Sequence, residues 1–312
     1  MCQLTPWVGR APSFFVNSLT NNLEPGTGVP VTSTASFGCA AAGHRILSVN
    51  GLRLHALEWG APGAPGFLFL HGGSAHSHWF DAVAPAFAGR FHVVSLDQRG
   101  HGESQWPDPP AYSTRHFCDD LLRVLEALGW GEVILAGHSM GGHNAMAFAA
   151  WHPERLRGLV IADSRPAVPP DWLSQMATKG SRALRTYESP ENAVRRFRLI
   201  PPETVADGEF LRHLARVGIA KRGERWVYRF DPACHGTRRP VDAWALLPQI
   251  TAPTLVVRGE WSPILTRTMG IEMVRRIRGA RLEEIPGTYH HLVLDRPAAF
   301  VDVLKRFVTE LA

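Results

Sequence analysis

The chain has 312 residues, 45% hydrophobic and 20% charged, with a formal net charge of +5. This suits one large globular domain, or one domain carrying an insertion, and no apolar run reaches the ~18 residues of a membrane span. The four cysteines, Cys2, Cys39, Cys118 and Cys234, stand far apart without C-x-x-C spacing; this argues against a zinc site or a disulfide framework and fits free thiols in a cytoplasmic protein.

Residues 1–43 hold one basic residue, Arg10, and one acidic residue, Glu24, and Pro, Gly, Ser, Thr and Asn dominate from Asn17 to Ser36. No charged stretch followed by a continuous apolar one marks a secretory leader. A disordered extension is expected here. Order is expected from about His44. Arg45 to Val49 and Leu52 to Trp59 alternate around Asn50-Gly51, a strong hairpin signal. Gly66 to Leu70 reads as a buried strand running into His71-Gly72-Gly73, and Trp79 to Phe87 as a helix. Phe91 to Leu96 is a further strand, ending at Asp97-Gln98-Arg99-Gly100-His101-Gly102-Glu103-Ser104. Thr114 to Leu128 has helical periodicity.

Next comes the apolar run Glu132 to Ala136, then Gly137-His138-Ser139-Met140-Gly141-Gly142, then a helical run from Asn144 to Trp151. Strand, Gly-x-Ser-x-Gly and helix in that order form the context of a nucleophile elbow. The chain must reverse sharply, with Ser139 strained. A Cβ at position 137 or 141 would collide with the neighbouring strand or helix. The turn lifts the Ser139 hydroxyl clear at a helix N-terminus and aims the Met140 N–H at the space where an oxyanion would form.

Leu156 to Ala162 is a strand ending at Asp163. From Pro166 to Pro240 the strand–helix rhythm stops. This stretch holds 14 Lys and Arg against 8 Asp and Glu, a net +6, so the rest of the chain sits at −1. It reads as several short helices, among them Pro190 to Phe197 and Gly208 to Ala215, forming a cap over the site. No aromatic interleaving or nucleic-acid motif accompanies the basic residues, which argues against a nucleic-acid surface; a solvated Arg-rich helix face is preferred over a lid biased toward acidic substrates. Thr254 to Val257 is a strand, Thr266 to Ile277 a helix, Leu282 to Ile285 a strand, and Ala298 to Leu311 the closing helix.

Short apolar strands alternating with helices imply an α/β fold, its mostly parallel sheet covered on both faces. Ligands bind such sheets beyond the carboxyl ends of the strands. His71, Asp97, Ser139, Asp163, Glu260 and His290 each follow a predicted strand, so they gather at that edge. The expected organisation is an extension over 1–43, a core over 44–165 and 241–312, and a helical cap over 166–240.

His71-Gly72-Gly73, the 97–104 loop, the Ser139 elbow and Pro286-Gly287-Thr288-Tyr289-His290 together resemble the α/β-hydrolase superfamily, over about His44 to Ala312. The resemblance implies an eight-stranded sheet with the second strand antiparallel and a cap after strand six. It implies a Ser-His-acid triad with Ser139 as nucleophile and His290 as base, His291 being the competitor. It implies an oxyanion hole from the N–H groups of Gly73 and Met140. Many members carry Asp in a Gly-x-x-Asp turn after strand seven, where this chain reads Gly259-Glu260-Trp261-Ser262. Asp163, at the strand-six end used by some members, is the preferred acid, and Glu260 the alternative. His71 and Trp79 are candidate substrate contacts; His71, with Arg99, also suits loop organisation.

The expected function is a serine hydrolase cleaving a carboxylic ester or related acyl bond of a small molecule, with no cofactor, no metal, no nucleic acid and no membrane partner. The oligomeric state is left open, a homo-oligomer included. The alternatives are a C–C bond hydrolase of a keto acid, with Arg195, Arg196 or Arg198 holding a carboxylate, and a cofactor-free dioxygenase or ligand-binding protein on the same scaffold.

Overall fold

In the computed structural model, which describes residues 42–311, Asn50 and Gly51 take positive φ values of 49° and 76°. That is the two-residue geometry whose twist matches paired strands, and it joins β1 (Gly43–Val49) to β2 (Leu52–Trp59) in antiparallel register. The expected extension over 1–43 therefore lies outside the described residues, except that Gly43 already opens β1. The chain continues through β3 (Gly66–Leu70), β4 (His92–Leu96), α1 (Thr114–Ala127), β5 (Val133–His138), α2 (Met140–Trp151) and β6 (Leu156–Ala162).

Between β6 and the next strand of this sheet come α3 (Pro170–Gly180), α4 (Pro190–Arg196), α5 (Gly208–Val217), the hairpin β7 (Ile219–Arg222) and β8 (Arg225–Tyr228), and the short α6 (Ala233–Gly236). Then follow β9 (Thr254–Gly259), α7 (Arg267–Arg276), β10 (Arg281–Ile285), the short α8 (Leu292–Asp295) and α9 (Pro297–Glu310). The eight-stranded sheet has the order β1-β2-β4-β3-β5-β6-β9-β10. Only β2 runs against the others.

Each face of the sheet is covered because its strands are apolar on both sides, as parallel strands must be. One layer packs α1, α2 and α7 on residues such as Leu68, Leu135, Leu159 and Val256. The other packs the 77–87 turns, α8 and α9 on Phe67, Phe69, Ile134 and Val160. The expected helix over Trp79 to Phe87 is a correction. The segment forms two 3-10 turns, Ser77–Phe80 and Ala84–Phe87. Pro85 has no N–H, and its ring would strike the carbonyl four residues back in an α-helix. The turns still bury Trp79, Phe80, Val83, Ala84 and Phe87 against the sheet.

The hairpin β7–β8 was not expected from sequence, where only helices were read in this stretch. Its four-residue strands are too short to show a period, and Gly223, at φ 58°, makes the turn. The stretch is tied to the sheet by specific bonds. His76 Nε2 donates to the Leu214 carbonyl at 3.1 Å, Gly102 N–H to the Arg229 carbonyl at 2.8 Å, and the Tyr112 hydroxyl to Asp231 at 2.5 Å. No helix among the described residues is long and apolar enough to cross a membrane.

Candidate active site

Ser139 stands between the end of β5 and the first turn of α2, at φ 52° and ψ −116°. A non-glycine residue held there is strained and persists only where its surroundings fix it. The flanking glycines make the turn possible. A Cβ on Gly137 would sit 2.4 Å from the Gly141 carbonyl oxygen, and one on Gly141 would sit 2.3 Å from the Leu70 carbonyl oxygen at the end of β3. The Ser139 N–H stays in the sheet, donating to Ala162 at 3.0 Å, and its carbonyl accepts from His143 N–H at 3.0 Å to start α2.

The Ser139 hydroxyl lies 3.1 Å from His290 Nε2, and His290 Nδ1 lies 2.8 Å from Asp163 Oδ1. Serine, histidine and the carboxylate after β6 thus form one hydrogen-bonded line across the carboxyl edge of the sheet. Asp163 is fully buried. Its Oδ1 also accepts from the Ser262 hydroxyl at 2.5 Å, and its Oδ2 accepts from Gly259 N–H at 2.9 Å. Ser262 occupies the place where the turn after β9 was expected to carry Asp, and it serves the acid of the neighbouring strand. Glu260 stays away from His290. It is exposed and caps Gly287 N–H at 2.8 Å. The alternative acid of the sequence reading is therefore not brought to the imidazole.

The His290 loop is fixed by neighbours. His138 Nε2 donates to the His290 carbonyl at 2.9 Å, and Tyr289 N–H donates to Asp295 at 2.8 Å. His291 turns away and donates from Nε2 to the Pro201 carbonyl at 2.9 Å. Burial, then the adjacent His291 and Arg165, hold the His290 imidazole well below its usual range. Burial pushes the Asp163 carboxyl up to about 6, against the pull of the Ser262 hydroxyl and the Gly259 N–H. At neutral pH the imidazole is then neutral and the carboxylate ionised, the state in which the line can accept a proton from Ser139.

Gly73 and Met140 face the same space. Their N–H groups have no hydrogen-bond acceptor among the described residues, and an added Cβ on Gly73 would lie 3.8 Å from Met140 Sδ. Two predicted substrate contacts are corrected. His71 is fully buried, donating from Nδ1 to the Gly72 carbonyl at 2.7 Å and accepting from Gln98 N–H at Nε2 at 3.0 Å. It locks the Gly72-Gly73 loop to the 97–104 loop, which Gln98 and Asn144 tie to α2 at 3.0 Å. Arg99 holds that loop to Asp120 at 2.6 and 2.7 Å. Trp79 packs edge-on against His76 and Phe197 beneath the surface. Neither lines the cavity at Ser139, because hydrogen bonds between the two loops claim the His71 ring and packing on the sheet claims Trp79.

That cavity, of about 130 Å³, is lined by Ser139, His290, Arg165, Trp172, Ile200 and Arg238, among others. A hollow of about 50 Å³ beside it shares Ser139, Met140, Trp172, Ile200 and Arg238 and adds Gly73. A wider space of about 350 Å³ meets that hollow at Ser74, Met176, Ile200 and His235. Of the linings between α3 and Arg238, Arg196 and Arg198 were named in the sequence as candidates to hold a carboxylate and border the wider space; Trp172, Ile200 and Arg238 were not singled out, since no motif marks them. Two groups bring metal-capable atoms together, His138 with His290 and His291, and His78 with Asp81 and His213. In the first group both nitrogens of His290 and one each of His138 and His291 are already hydrogen-bonded.

The fold and this edge-of-sheet arrangement are those of an α/β hydrolase, and the sequence profile of the alpha/beta hydrolase fold family matches residues 65–297. The chain belongs to that family. It is 24% identical over 279 residues to a 2-(acetamidomethylene)succinate hydrolase of Mesorhizobium japonicum, covering 85% of this chain and 94% of that protein. It is 29% identical over 264 residues to an esterase of Mycobacterium tuberculosis, covering 81% and 85%. An α/β hydrolase of Novosphingobium aromaticivorans superposes with a TM-score of 0.72 at 27% identity, over 88% of this chain and all of that one.

Proposed function

We propose that this hydrolase cleaves a carboxylic ester or related acyl bond through an acyl-enzyme on Ser139. The observation that carries the reading is the unbroken line from Ser139 Oγ to His290 Nε2 at 3.1 Å and from His290 Nδ1 to Asp163 Oδ1 at 2.8 Å. Serine is a weak nucleophile until a base takes its proton. Ser139 attacks the carbonyl as His290 Nε2 accepts that proton. Asp163 stabilises the imidazolium through the Nδ1–H bond and holds the ring in the required tautomer. The N–H groups of Gly73 and Met140 receive the oxyanion. His290 then protonates the leaving group, and water, deprotonated by the same imidazole, releases the acid. Residues 166–240 serve as a cap, since Val168, Trp172, Ile200 and Arg238 line the cavity over Ser139.

The relatives are named for substrates as different as an ester and an acetamidomethylene succinate, so family membership does not set the acyl group. None of Arg195, Arg196 and Arg198, the sequence candidates for holding a keto acid, lines the cavity at Ser139. The test is labelling by a fluorophosphonate, read by intact mass. A single adduct on the wild type, absent from Ser139→Ala, is expected. A folded wild type that forms no adduct would sink the acyl-transfer reading and bring forward the dioxygenase or ligand-binding alternative.

A further inference from the structure

Two arginines stand beside Ser139, and no acidic side chain lines the cavity they share with it; the Asp163 carboxylate acts on Arg165 through space but is hydrogen-bonded to His290, Ser262 and Gly259. Arg165 and Arg238 both line the 130 Å³ cavity, and Arg238 also lines the hollow that joins it to the wider space. Lys179, Arg185, Arg196 and Arg198 line that outer space. No Asp or Glu lines any of the three.

Elsewhere in this molecule a buried arginine is paired. Arg99 grips Asp120, Arg229 meets Glu103 at 3.2 Å, and Arg258 meets Glu284. Arg165 and Arg238 are half-buried and lack such a partner: neither guanidinium has an ion pair or a hydrogen bond among the described residues, and burial works against the charge of both. An arginine stays protonated even so, and a charge partly withdrawn from water with no partner carries a cost. Structural support does not explain a cost placed twice in one small cavity beside a nucleophile.

The other titratable groups facing this space add no counter-charge. His143 is pushed down to about 4 by burial and then by Arg238, and His235 to about 3 by burial, Arg238 and Lys179. Burial raises the Cys234 thiol to about 12, so it is neutral. Asp163 offsets part of the charge of Arg165, while no carboxylate bears on Arg238.

Resting on the reading of Ser139 as an acyl-transfer nucleophile, we infer that Arg165 and Arg238 seat a carboxylate of the substrate while Ser139 attacks a second, esterified or otherwise acylated carbonyl of the same molecule. The guanidinium fork matches the two oxygens of a carboxylate. Arg165 and Arg238 line the same 130 Å³ cavity as Ser139, so a carboxylate that they hold sits within that one cavity beside the nucleophile, whatever part of the substrate extends into the wider space. The group between the two carbonyls is therefore short, and the substrate is the half-ester, or equivalent acyl derivative, of a small dicarboxylic acid. The outer basic residues guide the anion inward.

The test compares monomethyl malonate, succinate, glutarate and adipate with methyl esters of monocarboxylic acids of matching length, followed by pH-stat. In the wild type, at least one half-ester should exceed its neutral partner in kcat/KM by tenfold or more. That ratio should drop by about 10- to 100-fold in Arg238→Gln and in Arg165→Gln, the range of one charge-assisted hydrogen bond. Equal rates for all pairs in the wild type, or a ratio unmoved by both substitutions, would overturn the assignment. Should the variants fail to fold, calorimetry on the wild type decides. Succinate should bind and slow fluorophosphonate labelling, while succinamide should do neither. Binding of succinamide equal to that of succinate, or inorganic phosphate binding better than any of the dicarboxylates, would refute a carboxylate seat. A failure of the hydrolase reading shows separately, as the absence of any adduct while succinate still binds.

Discussion

On the proposed mechanism Asp163 acts in opposite directions on rate and on stability. Its carboxyl keeps its proton up to about 6 in the folded protein, because burial outweighs the Ser262 and Gly259 hydrogen bonds. In the unfolded chain it releases that proton near 3.8, the ordinary value for an aspartic acid. The native state therefore binds the extra proton between those values, and this group's contribution to stability falls as pH rises through that window. Activity runs the other way, since the imidazolium needs an ionised partner. The expected kcat/KM profile falls on acidification with an apparent midpoint near 6 that belongs to the His290–Asp163 pair and not to either residue alone. Asp163→Asn should cut kcat by roughly 10⁴-fold, the scale of losing the correct tautomer, while its melting temperature at pH 7 stays level or rises. Glu260→Gln should change the rate little. A larger loss from Glu260→Gln than from Asp163→Asn would move the acid to the β9 loop. Ser262→Ala removes a donor that lowers the Asp163 pKa, so the acid limb should shift to higher pH; a downward shift would contradict the geometry. The serine, histidine and aspartate were all legible in the sequence, as was the oddity at position 262. The meaning of that oddity was not, because a hydroxyl serving a carboxylate 99 residues away leaves no local pattern.

At the level of elements, the strands were legible because each is a short apolar run set off by turn residues, and the elbow because its glycines are demanded by backbone approach. Gly137→Ala tests this. The new Cβ meets backbone of Gly141, which cannot rotate away as a side chain could. Overpacking of this kind costs about 1–3 kcal/mol, and the shift it forces falls on the first turn of α2. Denaturant unfolding should show that loss, with fluorophosphonate labelling slowed beyond what the unfolded fraction explains. A variant with wild-type labelling and stability would show that the turn has slack. The elements that sequence misread share one cause. Helical apolar spacing in 79–87 is also compatible with consecutive 3-10 turns, and only Pro85 discriminates. In β7 and β8, four residues on each side of a turn are too few to establish any period.

Across the whole molecule, the sequence placed the excess positive charge in residues 166–240 but assigned it to a solvated face. The structure keeps Lys179, Arg185, Arg196 and Arg198 exposed, as a solvated face requires, and the same four border the space that leads toward Ser139, with the half-buried Arg238 at its inner end. Arg212 meets Glu209, and Arg195 bonds Asn192, on other exposed positions. Which basic side chains border that space depends on how α3 to α6 pack, and composition carries no trace of that. Screening supplies the check, since fields from exposed charges fade within about 8 Å at physiological ionic strength. For an anionic ester kcat/KM should fall as salt rises from 10 to ~500 mM, a range over which the Debye length drops several-fold. A neutral ester should show no matching decline. Equal salt responses would mean that the outer basic residues do not steer substrate.

Ser139 and Asp163 lie on adjacent strands and are close in sequence, joined by α2 and β6, while His290 is separated from Ser139 by 151 positions. This has a consequence for biosynthesis. A strand–helix–strand unit made of neighbouring segments closes with little loop entropy, so nucleophile and acid can take up their spacing while the rest of the chain is still being made. The imidazole follows β9, α7 and β10 in the chain and is made only after them. A nascent chain stalled before β10 would carry a formed but unarmed serine. On the proposed mechanism such a precursor is expected to be inert toward acyl compounds, with reactivity beginning once the His290 loop has joined the sheet.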